Sequence, residues 1–262
     1  MPNPWSRFSV SRFPFPVSRS FILSRIPNPD PSKMPDAARR ALIEICRLLW
    51  QRGLIAGRDG NVSVRLRDGR ILVTPAGMAK RTCIDDDLVV VAADGAHVEG
   101  ARASSSELGI HLRIYRCRPD VSAVVHAHPP IATGFALAGE TLPPDALPEI
   151  VLGIGAVPLV HYETPGTEAL ADALEPHLVG HDAFLLANHG AVTIGPSLGV
   201  AYERMESLEH TARIVLTARL LGRVIALSPA QIAALVGATG HGGGDVRSYS
   251  GERKLDDRGS SP

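Results

Sequence analysis

The stretch from Val121 to Pro130, Val-Ser-Ala-Val-Val-His-Ala-His-Pro-Pro, restricts the possible folds more than any other part of the chain. Ala123, Val124 and Val125 predict a buried strand over Val121–His128. Side chains two apart on a strand share a face, so His126 and His128 project together and Ala127 turns away. Pro129 and Pro130 have no N–H to give to a ladder, so pairing stops there and the imidazoles stand at an open rim of the sheet. Two such imidazoles can form one edge of a divalent metal site. Two polar residues near a surface would give the same pattern, so a third ligand is needed to decide.

The chain has 262 residues, 45% of them hydrophobic, enough to bury a sizeable core. Basic and acidic residues balance at 27 each, which leaves no basic excess to attract nucleic acid or an anionic membrane. Residues 1–33 hold five bases and one acid, leaving 22 against 26 in the rest. Cys46, Cys83 and Cys117 are few and form no CxxC pair, so a reducing, cytoplasmic compartment is expected. No apolar run reaches the length of a membrane span.

Residues 1–33 are rich in Phe, Pro and Ser-Arg pieces and read as a disordered extension, or as sequence ahead of a true start at Met34. The expected folded domain is 34–236, and the glycine- and serine-rich 237–262 reads as a disordered tail. Within the domain a helix is expected from Asp36, its N-cap, to near Gly53, with Ala38, Leu42, Ile45, Cys46, Leu48, Leu49 and Ile55 at helical spacing. A Gly-rich turn, Ala56–Gly60, feeds a strand, and Asp68-Gly69 marks a hairpin. Leu88–Ala92 is a short strand. Glu107–Arg116 is a helix preceded by Ser104, Ser105 and Ser106. Further helices are expected over 131–137, 168–178, 197–221 and 229–236, and strands over 157–162 and 183–187, with 191–194 extended. Strands alternating with helices imply an α/β architecture.

His189 ends the buried 183–187 segment, between Asn188 and Gly190, and is the candidate third ligand. Three His with an open position is the donor set of a catalytic zinc site. The other seven His, including His111, stand alone and read as surface or hydrogen-bonded core residues. Glu107 supplies a carboxylate that can be a fourth ligand, a general base, or both in turn; a charge at a helix start would look the same. The serines before it either cap the helix or cradle a phosphate.

Taken together, Gly60-Asn61-Val62-Ser63-Val64-Arg65, Thr74-Pro75-Ala76-Gly77, Ser105-Ser106-Glu107, His126-Ala127-His128 and His189-Gly190 resemble the class II aldolase/adducin family over roughly 36–236, above all its L-fuculose-1-phosphate aldolases. The resemblance implies a three-layer α/β/α sandwich with a largely antiparallel central sheet. It implies Zn²⁺, or Mn²⁺, Co²⁺ or Fe²⁺, on His126, His128, His189 and Glu107, with Glu107 also the catalytic acid/base. Asn61, Ala76, Gly77, Ser105 and Ser106 would line a substrate phosphate pocket. A small sugar-phosphate substrate and a homotetramer with sites between subunits are implied as well.

The function this implies is cleavage of a 1-phosphorylated ketose to dihydroxyacetone phosphate and an aldehyde. A lysine Schiff base is the other aldolase route, but Lys33, Lys80 and Lys254 are the only lysines, and only Lys80 falls within the expected domain. Dehydratases, keto-acid phosphate decarboxylases and 4-epimerases on this scaffold are the alternatives, with Glu149 as a candidate extra acid/base for a dehydratase. Glu107 stands where the epimerases carry Asp, and Leu147-Pro148-Glu149 stands where the fuculose-phosphate aldolases carry a Tyr used across a subunit boundary. A non-catalytic adducin-like binding module is the reading of another class.

Overall fold

The computed structural model describes residues 34–238. Its strands are β1 (Asn61–Arg65), β2 (Ile71–Val73), β3 (Val89–Val91), β4 (His97–Glu99), β5 (Ala123–Ala127), β6 (Leu159–Val160), β7 (Ala183–Leu186) and β8 (Gly190–Gly195). Its α-helices are α1 (Met34–Gln51), α2 (Leu108–Cys117), α3 (Pro130–Leu137), α4 (Glu168–Leu174), α5 (Leu198–Leu220) and α6 (Pro229–Ala238). The expected extension 1–33 lies outside the described residues, as does the expected tail apart from Gly237 and Ala238, which complete α6.

All eight strands join one sheet in the order β4-β3-β2-β1-β5-β8-β7-β6. Every pairing is antiparallel except β6 with β7. β5, whose five residues are all buried, lies near the middle between β1 and β8. The β1–β2 turn falls at Asp68-Gly69 as expected: Gly69 has φ +85°, and Leu66 N–H donates to Arg70 O at 2.7 Å.

Strand alternation divides the apolar residues between two cores, one on each side of the sheet. Val62, Leu72, Val90, Ala123, Val125 and Ala127 pack with α1, α3 and α5. Ile71, Val73, Val89, Val124, Phe184 and Val192 pack with α2 and α4. Helices on both faces of a mostly antiparallel sheet make the three-layer α/β/α sandwich. On α1, Leu42, Ile45, Cys46 and Leu49 are at most 1% exposed, a stripe at i, i+3, i+4 and i+7.

Several boundaries differ from expectation for local reasons. α1 runs over Met34–Gln51, so the expected start at Asp36 falls inside it, and Ile55 is buried beyond the helix end. α2 begins at Leu108, which leaves Glu107 just outside it. α4 stops at Leu174 and a 3₁₀ turn, Glu175–His177, follows, because Pro176 has no N–H to continue the α pattern. Residues 150–154 form a π-helical turn.

Candidate metal centre

The site is assembled where three loops meet the end of β5. Asn61 on β1 is directly opposite His126 on β5, and Ala191 on β8 is opposite Ala127. β7 and β8 form a hairpin whose tip is Ala187-Asn188-His189. Asn188 takes the left-handed conformation there (φ +55°), and His189 N–H donates to Leu186 O at 3.1 Å. Because β8 pairs with β5, the tip carries His189 back to His126 on β5 and to His128 just beyond the strand's end.

Two glycines permit this close approach. A Cβ at Gly60 would lie 2.6 Å from the His126 carbonyl oxygen. A Cβ at Gly190 would lie 2.6 Å from both the Ala127 carbonyl oxygen and Cδ2 of His128. From the sequence, Gly190 is expected to let the backbone close on a metal; its immediate neighbours are the end of β5 and the His128 ring.

The donor atoms converge. One ligand atom each from His126, His128 and His189 lies within 4.8 Å of the others. Nε2 of His126 and Nε2 of His128 are 3.2 Å apart, and the three ring centroids are 4.8–5.1 Å apart. Glu107 places Oε2 3.2 Å from His126 Nε2 and Oε1 3.0 Å from His189 Nε2. His126 donates from Nδ1 to the Ala191 carbonyl at 2.9 Å, which leaves its Nε2 lone pair facing the cluster. Asp59 Oδ2 is 3.6 Å from His128 Nδ1 on the outer side.

These residues fit a divalent cation. Glu107 Oε1 is buried and no hydrogen bond satisfies it, although an imidazole nitrogen faces it. Acceptors crowded around one point are what a cation relieves. Three nitrogens and a carboxylate oxygen are a donor set suited to zinc, and also to Mn²⁺, Co²⁺ or Fe²⁺. Donors about 2.0–2.1 Å from a tetrahedral centre stand roughly 3.3 Å from each other; the His126–His128 and Glu107–imidazole separations, 3.0–3.2 Å, are close to this, while the three imidazole donors together span up to 4.8 Å.

Electrostatics keeps two of the four groups, the Glu107 carboxylate and the His128 ring, in the protonation states that bind a cation. Burial alone would raise the Glu107 carboxyl, but His126 and His189 outweigh it and hold the group well below the usual carboxylate range. Burial, reinforced by His126 and His189, lowers His128 to about 4, so its ring is neutral at physiological pH.

Around the cluster lies a cleft of about 260 Å³ lined by Arg58, Asp59, Asn61, Ala76, Gly77, Lys80, Ser105, Ser106, Glu107, His128 and His189, among others. All five residues expected at a phosphate pocket are in it. The loop at 74–77 is tied to the serine loop by a bridge between Pro75 and Ser104 and by Ala76 N–H donating to Ala103 O at 3.0 Å. Sequence reasoning missed Arg58 and Asp59, whose only signal was their place in the Gly-rich turn before Gly60, and it considered Lys80 only as a Schiff-base residue. Lys80 donates to the carbonyls of Arg58 and Met78, at 2.8 and 3.2 Å, and burial lowers its pKa. Glu149 is exposed and does not line this cleft.

Comparison with known proteins agrees with this geometry. Residues 40–216 match the family described as class II aldolase and adducin N-terminal domain. The 3-oxo-tetronate 4-phosphate decarboxylase of Escherichia coli is 37% identical over 190 residues, covering 71% of this chain and 89% of that protein. The 5-deoxy-D-ribulose 1-phosphate aldolase of Bacillus thuringiensis is 34% identical over 186 residues, covering 70% and 86%. A solved structure of L-fuculose 1-phosphate aldolase superposes with a TM-score of 0.72 at 32% identity, covering 77% of this chain and 95% of that one. A sheet with helices on both faces, three imidazoles and a carboxylate at its rim, and these matches lead to one conclusion: the chain belongs to the class II aldolase and adducin family.

Proposed function

We propose that the protein is a zinc-dependent, or related divalent-metal-dependent, carbon–carbon lyase that decarboxylates a phosphorylated 3-oxo sugar acid. One observation carries the reading. Three imidazoles and Glu107 converge in a cleft whose walls also carry Arg58, Lys80, Ser105 and Ser106.

Loss of CO₂ from a 3-oxo acid leaves the electron pair of the broken bond on the carbon beside the ketone, as an enediolate when that carbon bears a hydroxyl. A cation held by His126, His128, His189 and Glu107 would supply the Lewis acidity that stabilises this charge. The small-residue loops at 76–77 and 105–106, with Asn61, hold the substrate phosphate, and the charges of Lys80 and Arg58 attract it. Glu107 passes a proton from water to the enediolate carbon. No further base is needed, because the departing group leaves as neutral CO₂. The 3-oxo-tetronate 4-phosphate decarboxylases among the relatives support this substrate class.

Aldol cleavage of a ketose 1-phosphate is the second reading, and the 34%-identical aldolases favour it. It reaches the same enediolate but needs a base for the hydroxyl of the departing aldehyde. Asp59, or a residue of a neighbouring copy, would have to serve. Glu149, the candidate extra acid/base of the dehydratase reading, does not line the cleft of its own chain, and the presence of the whole donor set weighs against a non-catalytic module.

A homotetramer is part of this proposal. The end of α5 and the segment after it expose Leu220, Leu221 and Ile225, and no residue of α6 is buried in one chain. A cytoplasmic setting fits the three cysteines, which are all free. No helix among the described residues is long and apolar enough to cross a membrane.

The test is to load the protein with Zn²⁺ and supply 3-oxo-tetronate 4-phosphate and, separately, a panel of ketose 1-phosphates. CO₂ and dihydroxyacetone phosphate from the acid are expected. An aldehyde with dihydroxyacetone phosphate from a ketose, and nothing from the acid, moves the assignment to the second reading. Failure to take up any divalent cation refutes both.

A further inference from the structure

Behind the cluster, on the α2 face of the sheet, runs a line of polar side chains that is buried throughout. Asn61, Ser63, His111 and Tyr115 are 2%, 0%, 0% and 5% exposed. Asn61 Nδ2 is 2.8 Å from Glu107 Oε2, and His111 Nε2 is 2.5 Å from Asn61 Oδ1. Ser63 Oγ is 2.6 Å from His111 Nδ1 and 2.7 Å from the Tyr115 hydroxyl. Polar groups this far inside an apolar layer cost free energy unless every one is paired.

The ionised carboxylate gives the line a direction. Glu107 can only accept, so Asn61 must turn its amide nitrogen toward it and present Oδ1 to His111. His111 must then carry its proton on Nε2 and accept at Nδ1 from the Ser63 hydroxyl. Ser63, having used its proton, accepts from Tyr115. The opposite assignment points the Asn61 carbonyl oxygen at a carboxylate, with two acceptors in contact and no proton between them.

We infer that His111 is a positioning residue for Glu107. Its Nε2–H, held in that tautomer by Ser63, locks the Asn61 amide so that Asn61 donates to Glu107 Oε2. This fixes the carboxylate plane and leaves Oε1 facing His189. The inference rests on the metal-centre reading above. It adds that a histidine outside the donor set governs how well that set is formed.

The experiment uses Co²⁺ as the probe, titrated into the full-length apo protein and followed by its visible absorption, with kcat and KM measured alongside. His111→Leu removes the donor to Asn61. Its Co²⁺ dissociation constant is expected to rise about tenfold, the lower end of what loss of an outer-shell partner costs. Its absorption band should shift, and kcat should fall by a larger factor than KM changes. His111→Gln, whose side-chain amide can donate to Asn61 in the same direction, should restore most of each quantity. Ser63→Ala frees the tautomer without altering the ring, so it should move the same readouts by a smaller factor, and it decides the matter if His111→Leu fails to fold. Wild-type protein that binds Co²⁺, with Ser63→Ala and every folded His111 variant binding it equally and with the same spectrum, overturns the inference and leaves the metal centre standing. Wild-type protein that binds no divalent cation overturns both.

Discussion

Gly190→Ala tests whether the site depends on the close approach of β8 to the end of β5. The φ of Gly190 is not in the left-handed region, so an added methyl meets no backbone strain and only the neighbours matter. Those neighbours are a backbone oxygen and an imidazole carbon, both 2.6 Å from the new Cβ. Ordinary contact distances are about 3.5 Å, so atoms must move by most of an ångström. Either β8 backs away from Ala127 or the His128 ring swings out of the cluster. Overpacking of this kind costs about 1–3 kcal/mol. At about 2–4 °C per kcal/mol for a chain approaching this size, the melting temperature should fall by roughly 2–12 °C. Metal-ligand distances tolerate only about 0.2 Å, so the larger effect should be on the metal: Zn²⁺ or Co²⁺ affinity, measured by calorimetric titration, should fall at least tenfold. A variant that melts and binds metal as the wild type does would show that Gly190 is dispensable and that the packing argument is wrong.

Other consequences can be measured directly. Glu107→Gln should lower kcat by about 10²–10⁴ if the carboxylate moves the proton, and a near-normal kcat removes it from that role. Burial holds His111 at about 3 in the folded protein against 6.5 for the free side chain. Its contribution to stability is therefore complete above pH 6.5 and is lost as pH falls from 6.5 toward 3, by an amount on the order of 5 kcal/mol. Denaturant unfolding of wild type minus His111→Gln across that range should show this slope, and parallel pH profiles would refute it. Glu209, 3% exposed on α5, accepts from the Ile131 and Ala132 amides at the start of α3, directly after the His128-Pro129-Pro130 run. Glu209→Ala orphans both donors and should destabilise by about 1–3 kcal/mol, read as a drop in melting temperature. Chelation followed by dialysis should abolish turnover, and Zn²⁺, Mn²⁺ or Co²⁺ should restore it; unchanged turnover of demonstrably metal-free protein argues against a metal-dependent lyase.

The chain sequence by itself determined the parts of this protein that derive from local periodicity. The two-residue period of a strand put His126 and His128 on one face, the prolines after them set an open rim, and the 3.6-residue period gave α1 and α5 with their buried stripes. Turn chemistry placed Asp68-Gly69 correctly. The candidate ligands His126, His128 and His189, whose donor atoms the fold brings within 4.8 Å of one another, could be picked out because each closes or opens an element whose type could be read.

Pairing between distant segments belonged to the tertiary structure alone. The direction of strand pairing and the order of eight strands depend on which apolar faces bury against which, and no short window of sequence contains that. His111 looked like an isolated histidine, although it stands four residues after Glu107, one helical turn on. Ser63 lies two residues after Asn61 on the same strand face. Only when α2 packs on that face do these two periodicities meet and turn four separate side chains into one line leading to Glu107. Substrate choice was the least legible of all, because it depends on which groups the fold brings to the cleft, Arg58 and Lys80 among them, and on a departing group that no residue spacing encodes.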